Sequence, residues 1–202
     1  MSDKIDELID QAKSLGDEAS LICESKELTN EDEGRRFYDV VKSRMLDVRE
    51  WDKSSTASTY ALFDESGNEI TGRDLEIGTF IRILVHGSGK YDWVKVNHIY
   101  ETPREFVITV QPSHDPTEKP LQPDVISHFF RPDSRNNFCL RRDGKKLDFY
   151  VIGINEKVNT QFTDGLLETV RNTAAANLGY YLGLQKTMWK EFCSNMIGDE
   201  RS

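Results

Sequence analysis

The sequence has no long apolar run and few cysteines, and each shortage excludes a class of protein. No hydrophobic stretch approaches the about 18 residues that a membrane-spanning helix needs, so none is expected. No basic segment followed by an apolar one opens the chain, so we expect no signal peptide. The three cysteines, Cys23, Cys139 and Cys193, are far apart and match neither a disulfide framework nor a metal-ligand spacing. We therefore expect a soluble protein of the reducing cytoplasm.

Basic charge is also scarce. The 202 residues include 26 lysines and arginines against 35 aspartates and glutamates, which gives a net charge of −9. A general nucleic-acid-binding protein needs basic surface to neutralise phosphates, and an anionic membrane attracts the same kind of surface. We therefore expect neither nucleic acid nor membrane as a partner, whereas a basic protein partner is compatible with this charge.

Helical spacing of apolar residues dominates the first quarter of the chain. Residues 3–15 are typical of a short amphipathic helix. A second segment covers residues 17–26, and residues 29–49 continue the helical spacing after an acidic first turn. We interpret residues 1–52 as a helical segment packed on the main domain. Residues 53–202 are then an antiparallel β domain with a closing helix, and the two parts form one globular unit.

From residue 59 the apolar spacing changes to the alternation of β-strands. Strands are predicted at residues 59–63, 69–71, 79–85, 91–100, 105–111, 125–130, 137–142 and 146–154. No helical crossover separates them, so they can pair only antiparallel. Four of the six prolines fall in residues 112–123, which predicts an exposed loop. The fold class is therefore α+β, with N-terminal helices, a curved antiparallel sheet or partly open barrel of six to eight strands, and a long C-terminal helix packed on it.

The C-terminal part of the chain predicts one long helix, from Asp164 to Ile197. The small residues Ala175, Gly179 and Gly183 recur at every fourth position along it. They indicate close packing, either on the protein's own sheet or in a helix–helix contact, within the fold or across a homodimer. A long helix after a curved sheet is similar to the architecture of helix-grip folds, in which the helix closes a ligand cavity. Helices before the first strand do not fit the usual order of those folds.

The richest polar segment joins the last predicted strand to this helix. Asn155, Glu156 and Asn159, with Arg171 farther along, gather amides, a carboxylate and a cation. Glu156 could pair with Arg171, and the amides could satisfy backbone groups. The segment therefore predicts either a polar network that pins the helix to the sheet or a ligand-binding site at this junction.

Two histidines are the other candidate ligand-binding residues. His114 precedes Asp115 in the proline-rich loop, and His128 lies just beyond that loop. Two histidines and an aspartate can bind a metal if the fold brings them together. The sequence has no close pair such as HxH, so ordinary solvent-facing or structural histidines are favoured. No catalytic residue, metal or cofactor is predicted.

The function expected first is non-enzymatic binding of another macromolecule in the cytoplasm, as an adaptor or as an acidic partner of a basic protein. High charge and the lack of a recognisable catalytic constellation favour it. The alternative is a small-ligand-binding protein or enzyme with a pocket between the curved sheet and the C-terminal helix. The residues expected to line that pocket are Trp93, Phe106, Tyr181 and Trp189.

Overall fold

A computed structural model describes residues 3–72, 74–86, 91–121, 123–157 and 186–199. Within these ranges four helices accompany one curved, unclosed antiparallel sheet of eight strands, and the C-terminal helix packs on the sheet, so the predicted α+β class is confirmed. The helices are α1 Lys4–Leu15, α2 Glu31–Leu46, α3 Val48–Ser54 and α4, which is described over residues 186–196.

Every pair of neighbouring strands in the sheet is antiparallel. The strands are β1 Ala19–Glu27, β2 Ser58–Phe63, β3 Glu69–Ile70, β4 Phe80–Val85, β5 Tyr91–Glu101, β6 Glu105–Pro112, β7 Arg135–Asp143 and β8 Lys146–Ile154. Their order is β1-β8-β7-β6-β5-β4-β2-β3, so β1 and β3 form the two edges.

The first strand lies within the N-terminal segment that was predicted to be helical. β1 pairs with β8 along its whole length, from Ala19 opposite Ile154 to Glu27 opposite Lys146. The strand is hard to recognise in the sequence, because it lacks the apolar face that marks a strand. After Ser20 its residues are half-buried and exposed in turn. With β1 in place, α2 and α3 connect two strands. α1 alone precedes the first strand of the sheet.

The segment at residues 125–130, predicted as a strand, contains bends and an isolated bridge at Phe130. Backbone hydrogen bonds still hold it against the sheet. The Trp93 N–H donates to the Ser127 carbonyl at 2.7 Å, and the Ser127 N–H donates to the Ser113 carbonyl at 2.9 Å. The segment thus lies where β5 begins and β6 ends.

The two faces of the sheet pack against different helices. We call the side covered by α2, α3 and α4 the inner face, and the side covered by α1 the outer face. The inner face buries an aromatic cluster of Trp51, Tyr60, Phe138, Phe149 and Phe192. The ring centroid of Trp51 lies 4.6 Å from that of Phe138 and 5.6 Å from that of Phe192. The outer face packs against Ile5, Leu8 and Ala12.

The end of α4 is fastened to α2. Arg44 donates to the carbonyl oxygens of Met196 and Gly198, each at 2.8 Å. These bonds satisfy carbonyls that a helix end leaves without an intrahelical partner. The rest of the predicted long helix lies outside the described residues, as do the positions proposed for a homodimer contact, Ala175, Gly179 and Gly183.

A buried ion pair fastens α1 to the outer face. Glu105 is 2% exposed, and its carboxylate accepts from the Arg141 guanidinium at 2.9 and 3.1 Å and from the Lys4 backbone N–H at 2.9 Å. The same guanidinium donates to Asp6 at 2.7 Å. Removal of one partner would therefore leave a buried charge without its counterion.

Arg141→Met should lower the free energy of unfolding by about 3–5 kcal/mol, because Glu105 then stays buried without its guanidinium. Arg142→Met is the matched control. Arg142 donates to backbone carbonyls at 3.4 and 3.5 Å, and the loss of such long bonds should cost about 1 kcal/mol or less. Urea unfolding measures both. Adding Glu105→Leu to Arg141→Met should restore part of the loss; a double variant no more stable than Arg141→Met would contradict this explanation.

Candidate functional site

A row of inner-face residues crosses the sheet from β1 to β5. The register places Ser20 of β1 opposite Gly153 of β8, and Gly153 opposite Asn136 of β7. The row continues through Val110 of β6 to Val96 of β5. Adjacent strands lie about 4.8 Å apart, so Ser20 and Asn136 flank Gly153 closely on its two sides. The row is therefore polar towards the β1 edge and apolar towards β5.

Gly153 leaves room for a carboxylate in this row. Asn155 has a φ of +56°, which turns the chain after β8, and the Glu156 N–H donates to the Glu18 carbonyl at 2.8 Å. The turn directs the Glu156 side chain back over the sheet. Glu156 Oε1 and Ser20 Oγ both lie closer than 3.0 Å to the position that a Cβ would take on Gly153. Any side chain at residue 153 would therefore displace the carboxylate.

Three buried polar atoms near this row have no hydrogen-bond partner within the described parts of the chain. They are Ser20 Oγ, Asn136 Oδ1 and Trp189 Nε1. Ser58 Oγ and Arg142 Nε share this condition elsewhere in the described ranges. A buried polar group without a partner costs about 1–3 kcal/mol, which makes each one a place where a bound molecule can gain a hydrogen bond.

The row adjoins the aromatic cluster of the inner face. Phe138 follows Asn136 by two residues and so lies on the same side of β7. Its ring centroid is 5.6 Å from that of Trp189 on α4. Val110 and Val96 are buried in the same core as Phe138. Polar groups and a continuous apolar surface thus meet at the boundary between the row and α4.

The predicted lining and junction residues do not all reach the inner face. Glu156 belongs to the row, whereas Asn155 Nδ2 donates to the Asp133 carbonyl at 3.3 Å. Phe106 belongs to the inner-face core. Trp93 instead packs with Phe63 and Phe80 on the outer face, because it alternates with the inner-face Val94. Asn159, Arg171 and Tyr181 lie outside the described residues.

The chain shares its fold with a hypothetical protein of Helicobacter pylori. That protein, jhp0584, is 9% identical to it, with 92% of this chain and 90% of that chain covered and a TM-score of 0.55. Protein CV1439 from Chromobacterium violaceum is 12% identical, covers 89% and 98% of the two chains, and has a TM-score of 0.44. TTHA0849 from Thermus thermophilus is 9% identical, with coverages of 88% and 94% and a TM-score of 0.43.

The similarity to the Helicobacter protein shows a common fold and carries no information on function, because the sequences differ at most positions. No protein-family model matches the chain, and no curated protein matches it. Among the described helices, none combines the length and the apolar composition that a bilayer-spanning helix requires.

The two predicted histidines have different surroundings. His114 packs against Phe80, with ring centroids 5.3 Å apart, and partial burial lowers its pKa. His128 is 6% exposed, and the charge of Asp92 partly opposes the lowering of its pKa by burial. The described residues contain no group of three or more side chains placed to hold a metal ion.

His128 and Asp92 lie near the start of β5, and the charge of each influences the pKa of the other. His128 Nδ1 accepts from the Phe130 N–H at 2.9 Å, which places the proton of the neutral ring on Nε2. The Asp92 carboxylate accepts from the Phe129 N–H. Burial lowers the pKa of His128 and raises the pKa of Asp92, because it disfavours the charged form of each. Asp92 precedes Val94 by two residues and therefore lies on the same, inner face.

Sequence reasoning missed Ser20, Asn136 and Asp92. A usable signal existed for two of them, since each is a polar residue at an otherwise apolar inner-face position. Asn136 precedes Phe138 at a spacing of two, and Asp92 precedes Val94 at the same spacing. For Ser20 the signal was absent, because β1 itself was not predicted as a strand.

Acid should destabilise the protein through His128. Below its ordinary pKa of 6.5 the unfolded chain binds a proton that the folded protein resists, so the free energy of unfolding should fall as the pH is lowered. His128→Gln should flatten this dependence between pH about 7 and about 5. His98→Gln, at an exposed position of β5, is the control and should leave the slope unchanged. Urea unfolding at several pH values measures the slopes.

The effect of Asp92 on the pH dependence of the free energy of unfolding has the opposite sign. Its raised pKa stabilises the folded protein below the ordinary value of 3.8, and that contribution is lost as the pH rises through the raised pKa. His114 remains in both variants, so its own acid sensitivity cancels in the comparison. Equal slopes for the wild type and His128→Gln would show that burial of His128 does not set the acid sensitivity.

Proposed function

We propose that this protein binds a small ligand between the inner face of the sheet and the C-terminal helix. The observation that supports it best is the group of buried, unpartnered polar atoms on that face: Ser20 Oγ, Asn136 Oδ1 and Trp189 Nε1. Each group loses its hydration in the fold without gaining a partner among the described residues. A ligand with complementary groups recovers that cost on binding, which favours a specific site over chance burial.

The apolar neighbours of these atoms support the same proposal. Sites for small molecules are mostly apolar, with a few polar groups that fix the ligand's orientation. Phe138 and Trp189 contribute aromatic rings, and Val110, which is opposite Asn136 in the register, contributes an aliphatic side chain. The combination suits a ligand with an apolar body and a polar end.

Binding of another macromolecule, the first expectation from the sequence, stays a prediction. Its support is the net charge of −9, which is a property of the whole chain and indicates no particular surface. The unpartnered atoms of the inner face are specific in position, so they favour the small ligand. A protein partner would be revealed by the same measurement that tests the ligand.

Native mass spectrometry of protein purified gently from its own host should show a co-purifying small molecule. Asn136→Leu should reduce its affinity about five- to ten-fold, because the variant loses a buried acceptor. It should cost little stability, since no described hydrogen bond is broken. Retention of full ligand occupancy in Asn136→Leu, or the absence of any small mass from the wild type, would contradict the proposal. A co-purifying protein would support macromolecular binding instead.

Asn137→Leu is the matched control on the opposite face of the same strand. Asn137 donates to the Ile152 carbonyl at 3.0 Å and accepts from Thr109 Oγ1 at 2.8 Å. Its replacement should lower the free energy of unfolding by about 1–3 kcal/mol, because the buried Ile152 carbonyl and the half-buried Thr109 hydroxyl lose their bonds. The ligand should remain bound to this variant at temperatures where it is folded. Comparison of the two variants thus distinguishes a loss of ligand binding from a loss of stability.

A further inference from the structure

We propose that residues 127–131 form a strap that opens locally when His128 is protonated, while the sheet itself stays folded. The strap follows the proline-rich loop and contains bends instead of a regular strand. His128 is its pH-sensitive group, because histidine is the side chain whose charge changes between pH about 5 and about 8. The inference concerns the opening of this segment and does not rest on the proposed function.

Backbone hydrogen bonds connect the strap to three parts of the sheet. Trp93 of β5 donates its N–H to the Ser127 carbonyl at 2.7 Å, and Ser127 donates its own N–H at 2.9 Å to the carbonyl of Ser113, just after β6. At the other end of the strap, the Arg131 N–H donates to the Lys157 carbonyl beyond β8 at 2.9 Å. The strap therefore bridges the middle of the sheet and the segment that follows its last strand.

The His128 ring stabilises the closed strap as a hydrogen-bond acceptor. Its Nδ1 accepts from the buried Phe130 N–H at 2.9 Å, and the centroids of the two rings lie 5.9 Å apart. An imidazolium carries a proton on both nitrogens and therefore has no acceptor. Protonation of His128 in the closed strap would remove this partner of the Phe130 N–H and would place a positive charge on a side chain that is 6% exposed. Opening relieves both costs, because water then solvates the charge and the N–H.

Asp92 of β5 is the described charged group that acts on His128. Its negative charge favours the imidazolium, but burial has the larger effect, so the pKa of His128 lies below its ordinary value of 6.5. As the pH falls below 6.5, the open strap binds a proton at His128 that the closed strap resists, so opening becomes more favourable. Burial also raises the pKa of Asp92. At lower pH the closed strap therefore takes up a proton there, and the dependence on pH levels off.

The other charged or titratable groups beside the strap contact other residues. His114, on the loop that follows β6, packs against Phe80 with ring centroids 5.3 Å apart. Two ion pairs lie at the far end of the strap: Arg131 Nε with Asp133 Oδ1 at 3.7 Å, and Lys157 Nζ with Glu18 Oε1 at 3.0 Å. The acid response of the strap is therefore assigned to His128, with Asp92 as the group that modifies it.

The position of the strap allows it to open without disruption of the cores. Phe130 is 4% exposed, yet it belongs to none of the three apolar clusters that the described residues form. Leu121 and Val125, which precede the strap, are already 46% and 51% exposed. Separation of such a segment exposes little further apolar surface, which is the condition for a local opening at a free energy below that of global unfolding.

Hydrogen exchange of individual amides, measured by NMR on the full-length protein, tests the proposal. The amides of Phe130 and Trp93 report on the strap, and those of β7 report on global unfolding. At pH about 7 the opening equilibrium of the strap amides should exceed that of the β7 amides about 100-fold or more, and about 1 M urea should change it little. Between pH about 7 and about 5 it should rise about ten-fold, after correction for the intrinsic exchange rate.

Three variants assign the response to its group. His128→Gln keeps a side-chain acceptor but does not titrate, so the opening of the strap should become independent of pH over this range. His98→Gln, at an exposed position of β5, is the matched control and should leave the response unchanged. Asp92→Asn keeps an oxygen that can accept from the Phe129 N–H. It removes the carboxylate that takes up a proton in the closed strap, so the rise in opening should continue to lower pH.

The outcomes decide between a local and a global response. Equal protection and equal urea dependence of the strap and β7 amides would show that the strap opens only with the whole protein, and the inference would be wrong. A pH response that persists in His128→Gln would assign it to another group and would also overturn the inference. If His128→Gln does not fold, the wild type and Asp92→Asn decide, since identical pH profiles for these two would contradict the proposed pair.

Discussion

The pairing of β1 with β8 is the contact on which both faces of the sheet depend. It joins an early strand to the last one, so α1, which precedes β1, covers the outer face, and α2 and α3, which follow it, cover the inner face. The same register places Ser20 beside Gly153. A slip of one residue would turn Ser20 and its neighbours to the opposite face. Fold and candidate site are therefore fixed by one set of backbone hydrogen bonds.

Pairs of residues of the same type show which polar groups are structural and which are candidates for binding. The indole N–H of Trp51 donates to the Met45 carbonyl at 3.0 Å, whereas that of Trp189 has no partner in the described part of the chain. The two adjacent asparagines of β7 differ in the same way, since the amide nitrogen and oxygen of Asn137 are each hydrogen-bonded and the Asn136 oxygen has no partner among the described residues. Residue type alone would have treated the members of each pair alike.

The sequence predicts most of the fold, because alternation and short loops mark β2 and β4 to β8 without reference to distant residues. β1 was not predicted, because this half-polar edge strand is stabilised by its pairing with the distant β8 and not by a local apolar pattern. Part of the site is equally local: Glu156 stands out within a polar segment. Ser20 and Asn136 become neighbours only through the register of strands from opposite ends of the chain, which composition and spacing do not reveal.

The acidic side chains of this protein have different surroundings, so the net charge of −9 does not describe any one of them. On the outer face the buried carboxylate of Glu105 is neutralised by Arg141 and so contributes to attachment of α1. Over Gly153 the carboxylate of Glu156 projects among groups that include unpartnered oxygens. A surface-wide excess of negative charge favours basic partners of many kinds, but it is screened by salt within about 10 Å. A carboxylate held inside a narrow row is screened much less, and it discriminates by geometry as well as by charge.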